Sequence, residues 1–141
     1  MTSAACDIDY SVERFFATRW TTTEIAYPRQ PFDSEAPGLL RWIAFETLLV
    51  SGRPSRAADY QADVLITVNC FSRDGKRDLM RLAQQVEELL RGQAAALYDE
   101  SSQTTLRGYL KLTDPATKAL REQGGLLAVT VDVDGYLFLG G

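Results

Sequence analysis

The chain has 141 residues, 45% hydrophobic and 24% charged, an ordinary globular composition that can bury about two-thirds of the unfolded surface without disulfides or metals. Its net charge of −4 argues against gripping a nucleic-acid backbone, which requires clustered lysine and arginine to displace counterions. The absence of histidine removes the usual general base, the commonest transition-metal ligand and every Ser-His or Cys-His nucleophile.

A single domain over residues 1–141 that works by binding is therefore expected. No apolar run approaches the ~20 residues needed to span a bilayer. Residues 1–8 lack a basic region followed by an apolar core, so no signal peptide is expected. Cys6 and Cys70 lie far apart, and Cys70 falls on an apolar strand face as a small hydrophobe, which fits a reducing compartment.

Along the chain, Ile8, Val12, Phe15, Phe16 and Arg19 predict a first helix over residues 8–20, capped by Asp7 or Asp9 and ended by Thr21-Thr22-Thr23. A short strand over 23–27 closes at Pro28, and 29–38, with Pro31, Pro37 and Gly38 around an acidic stretch, is an irregular connection. Residues 39–50 predict a strand apolar on both faces, with Trp42, Ala44, Leu48 and Val50 against Ile43, Phe45 and Leu49. Such a strand is central, or one side of it is covered by a neighbouring subunit.

The connection 51–59 carries Gly52, Arg53, Pro54 and Arg56, and is longer than the usual two to five residues of a hairpin loop. The strand that follows alternates Tyr60, Ala62, Val64, Ile66, Val68 and Cys70 with Gln61, Asp63, Thr67 and Asn69. After a turn at Ser72-Arg73-Asp74-Gly75, Leu79, Leu82, Ala83, Val86, Leu89 and Leu90 form one stripe of a second helix, and Gly92 suits its C′ position.

Residues 93–103 read either as a continuation of that helix through Ala94, Ala95 and Ala96 or as a loop. A strand over 104–112 precedes a short helical turn from Asp114-Pro115 through Ala119 and Leu120, stopped by Gly124-Gly125. The chain closes with a hairpin, 126–133 and 136–139, around Asp134-Gly135. The order α-β-β-β-α-β-β-β predicts an α+β fold with a mixed, mostly antiparallel sheet and helices packed on one face.

The candidate chemistry is thin. Asp132-Val133-Asp134-Gly135 resembles part of a calcium loop, but Thr130 and Gly141 stand where acids are required. Asp63 with Asp74-Gly75-Lys76 shares the spacing of a metal-dependent nuclease site; in a turn before a helix, Asp74 is better explained as a cap and Lys76 as solvated. Tyr27, Phe32 and Trp42 have no basic neighbours and fit packing better than base stacking. Arg53 and Arg56 read either as an ordinary exposed loop or as a loop reaching an acidic patch on a neighbouring subunit.

The spacing of Ile25, Tyr27, Phe32, Trp42, Gly52 and Arg56, the strand 64–71, Gly75 and the helix from Leu79 resembles the phage tail terminator proteins, the tail-completion or minor tail protein U-like family of long-tailed phages. The resemblance covers residues 8–91, and 126–139 loosely; Arg29-Gln30 and Asp59-Tyr60 depart from the asparagine and glycine often found there. It implies a structural virion protein with no catalytic site, metal or cofactor. Such a protein forms a homo-hexameric ring that caps the tail tube, ends its polymerisation and joins the tail to the neck. Its partners are the tail tube protein and the head–tail connector, and DNA passes through its lumen without specific binding. It is assembled in the host cytoplasm and carried at the head-proximal end of the tail. Candidate subunit or tube contacts are Arg53, Arg56, Trp42, Arg73 and Lys76. Other readings are a head-closure or connector protein and a small nuclease-like enzyme using Asp63, Asp74 and Lys76.

Overall fold

The computed structural model describes residues 4–54 and 61–139, with side chains at 5–49 and 63–139. Helix α1 (Ala4–Arg19) is followed by strands β1 (Glu24–Ala26), β2 (Arg41–Pro54) and β3 (Gln61–Ser72), helix α2 (Lys76–Leu90), and strands β4 (Ala94–Tyr98), β5 (Leu106–Leu112), β6 (Ala116–Gln123) and β7 (Leu126–Leu139). The strands form one mixed sheet in the order β1-β2-β3-β7-β5-β4, with β6 also paired to β7. Among the described residues only the β1–β2 pair is parallel. The α+β class with a mostly antiparallel sheet is the one expected.

Both helices lie on the same side of the sheet because their apolar stripes have one place to go. Ile8, Val12 and Phe16 of α1 and Leu79, Leu82, Val86 and Leu90 of α2 share a single core with Ile43, Phe45, Val64, Ile66, Val68, Val129, Val131 and Val133. Phe16 stacks on Phe45 with ring centroids 4.4 Å apart. The alternation seen in β3 is retained, since Val64, Ile66, Val68 and Cys70 are buried on the helix side.

The C-terminal third differs from expectation in three places. Residues 94–98 are strand, neither helix nor loop: Gly92, at φ 66°, ends α2, and Ala95 and Leu97 then alternate into the core. Residues 116–123 are strand and not a helical turn, because β7 supplies a pairing edge for β6 on both sides of an irregularity at Ala119-Leu120. Pro115 sits at the break between β5 and β6, which lie end to end along one edge of β7.

The Asp134-Gly135 turn does not exist. Both residues are in the middle of β7, opposite that break, where the Asp134 carbonyl accepts the Thr113 N–H (2.9 Å) and hydroxyl (3.1 Å). The true hairpin turn is Gly124-Gly125, with φ of 57° and 84°, the positive values of a two-residue type I′ connection.

Two caps also differ. Asp7 lies inside α1, and its buried carboxylate accepts the Glu100 N–H at 2.9 Å and pairs with Arg107 at 3.4 Å. Gly75 occupies the N-cap of α2 with no side-chain cap, so Asp74 does not have that role. β2 runs past residue 50 to Pro54 with an irregular register between Leu49 and Arg53, so 51–54 of the expected 51–59 connection are strand, and 55–59 lie outside the described residues.

Candidate interaction surfaces

The helices cover one face of the sheet, and the opposite face shows what its strands place there. Its centre is polar and internally satisfied. Thr130 Oγ1 donates to Asn69 Oδ1 at 2.9 Å, and Arg121 bridges both residues at 3.3–3.4 Å. Lys118 Nζ meets the Asp132 carboxylate at 2.6 Å.

Towards the end where β3 begins, the face becomes apolar. Tyr109 and Phe138 are register partners on β5 and β7 and are 47% and 57% exposed. Leu48 on β2 is exposed on the same face.

The five candidate residues fall into three groups. Trp42 is 4% exposed, stacked on Phe71 at 5.0 Å and against Phe32 at 5.9 Å, so its ring has almost no surface to offer another subunit. Arg73 belongs to the same cluster. Its guanidinium lies 5.0 Å from the Trp42 ring centroid, donates to the carbonyls of Ser34 (3.0 Å) and Leu39 (3.3 Å), and approaches Glu35 at 3.4 Å. It clamps the 34–39 connection onto the sheet. Lys76 is exposed at the start of α2, with no hydrogen bond or ion pair among the described residues. The side chain of Arg53 and the whole of Arg56 lie outside the described residues, although the Arg53 backbone pairs with Ala62.

The nuclease-like trio does not converge. Asp63 sits at one end of β3, where its carboxylate accepts the Leu137 N–H at 2.9 Å and so extends the ladder beyond the last β3–β7 pair. Asp74 and Lys76 follow the other end, and a strand of this length at ~3.3 Å per residue separates them from Asp63 by about 30 Å. Asp74 is instead held by Arg41 at 3.2 Å. Arg41 Nε also binds Asp78 at 2.9 Å, and the Ser72 hydroxyl donates to the same carboxylate at 2.6 Å. The hydrogen bond from Arg41 is the main reason the Asp78 carboxyl is held below its ordinary range.

Among the described residues no group of three or more His, Cys, Asp or Glu is placed to hold a metal ion. Burial pushes the Cys70 thiol up to about 12, so it stays protonated and unreactive. Among the described residues no helix is long and apolar enough to cross a membrane.

Sequence reasoning missed the apolar end of the open face. The Asp-Gly signal places Phe138 on a short hairpin arm, whereas its pairing with Tyr109 depends on the long β7.

No protein-family model matches the sequence, and no curated protein does. Among solved structures five chains match. One of them superposes over 100% of this chain and 99% of its own with a TM-score of 0.60 at 11% identity, and its name carries no statement of activity. At that identity the likeness extends to the fold alone.

Proposed function

We propose that this protein is a ring-forming tail terminator of a long-tailed phage or related tail-like particle. In this reading it caps the tail tube, ends its polymerisation and provides the joint to the neck connector. The observation that carries the reading is the half-covered sheet: one face is closed by both helices, and the other keeps Leu48, Tyr109 and Phe138 in water at one end. A ring needs two different patches on each subunit, one meeting the other on the next copy. The residue pattern from Ile25 to Leu79 supports the family, and the separation of Asp63 from Asp74 and Lys76 counts against the nuclease alternative. A net charge of −4 suits a channel that DNA crosses without adhering, because acidic walls repel phosphates.

Native mass spectrometry of the full chain tests the reading. The expected species is six chain masses. A strict monomer that cleaves DNA with magnesium and loses that activity on Asp74→Ala would overturn it.

A further inference from the structure

Opposite sides of the sheet, at β4 and at β1, carry clefts of opposite charge. At the β4 edge, Arg14 and Arg19 line a cleft between α1 and β4 together with Ser11, Phe15, Ala96 and Tyr98. Both guanidiniums are held by neutral groups. Arg14 lies 3.9 Å from the Tyr98 ring centroid and donates to the Gln103 carbonyl at 2.8 Å. Arg19 lies 4.7 Å from the Phe15 ring centroid and donates to Gln93 Oε1 at 2.8 Å. Among the described residues no carboxylate pairs with either, although the protein is acidic overall.

Backbone groups add donors and acceptors to this cleft. The Leu112 N–H donates to the Gln93 carbonyl at 2.8 Å, so by the alternation of an antiparallel ladder Ala95 and Leu97 bond to β5, while Ala96 turns its N–H and C=O outward. The space is about 240 Å³, below the ~300–1,000 Å³ of small-molecule sites, and suits inserted side chains better than a cofactor.

At the opposite edge, Glu24 of β1 and Asp33 line a second cleft with Phe32 and Leu39. Both acids are exposed, and neither has a cationic partner among the described residues. Arg73 fixes the connection after Asp33 through Ser34 and Leu39, and Glu24 is held in the β1–β2 pair, so both acids stand on anchored backbone.

We infer that the Arg14–Arg19 cleft of one copy receives the Glu24–Asp33 edge of the next. β1 and β4 end the six-strand path of the sheet on opposite sides, so this contact is head-to-tail and propagates in one direction, as ring closure demands. The inference rests on the ring reading and names the surfaces that make it.

Two double variants test it, Arg14→Glu/Arg19→Glu and Glu24→Arg/Asp33→Arg, each checked for an unchanged circular-dichroism spectrum. Each alone is expected to lose at least about tenfold in association constant, because every junction then sets like charges together. An equimolar mixture is expected to recover assembly, since alternating copies restore opposite charges at each junction. The single variants Arg19→Glu and Glu24→Arg, at exposed positions, serve the same test should a double variant fail to fold. Loss in both without recovery on mixing overturns the pairing. A wild-type hexamer unchanged in mass by either double variant overturns this contact and leaves the ring; a wild-type chain that remains monomeric overturns both.

Discussion

Trp42 shows how one side chain connects the sheet to the loop that decorates it. It projects from β2 on the side away from the helices, where a half-exposed aromatic would be ordinary, yet Phe32, Phe71 and Arg73 enclose it. The cluster holds the 32–39 connection down and thereby sets the position of Asp33 at the β1 edge. Replacing a buried indole removes its transfer free energy and leaves a cavity that the stacked neighbours fill only in part. Trp42→Ala is therefore expected to cost about 3–5 kcal/mol in urea unfolding. A near-neutral result would mean that the ring is not enclosed. The sequence suggested that Trp42 packs and also offered it as a subunit contact. Only the positions of Phe32 and Arg73 decide between these, and both are distant in the chain.

Elements whose burial is periodic were readable from local pattern: α2 from its leucine stripe, β3 from alternation, and β2 from its apolar length. The misread Asp-Gly turn and the misread 116–123 segment trace to β7, a long central strand with β3 along one edge and β5 and β6 end to end along the other. Asp-Gly is a strong turn signal, but Gly135 serves close packing instead. A Cβ there would lie 2.8 Å from Leu110 Cδ1, the end of a buried but rotatable side chain. Gly108, on β5, is under a harder constraint. Its φ is 152°, and a Cβ would lie 2.1 Å from the Phe138 carbonyl oxygen, an atom fixed by the ladder. Gly135→Ala is expected to cost about 1–3 kcal/mol, the usual range for overpacking, and Gly108→Ala to cost more because backbone has to move. Thermal unfolding of the two variants orders them; the reverse order would place the tighter approach at Gly135 and not at Gly108.

At the scale of the whole molecule, two kinds of surface compete to explain association: the charged clefts at the sheet edges and the apolar end of the open face. They respond oppositely to salt. Arg14, Arg19, Glu24 and Asp33 line open clefts, and their attraction across a junction is screened as the Debye length falls from ~10 Å at 0.1 M to ~3 Å at 1 M. Burial of Phe138, Tyr109 and Leu48 depends on water exclusion, which salts such as sulfate strengthen. If the edge-to-edge contact closes the ring, raising sodium chloride from about 0.1 M to about 1 M is expected to shift dissociation to higher protein concentration in sedimentation velocity. The apolar patch then remains for the tube or the neck, and Phe138→Arg is expected to leave the ring mass unchanged. Assembly that is insensitive or strengthened at high salt, and lost in Phe138→Arg, would assign ring closure to the open face. The two results are mutually exclusive, because a junction dominated by four charged side chains cannot gain from their screening.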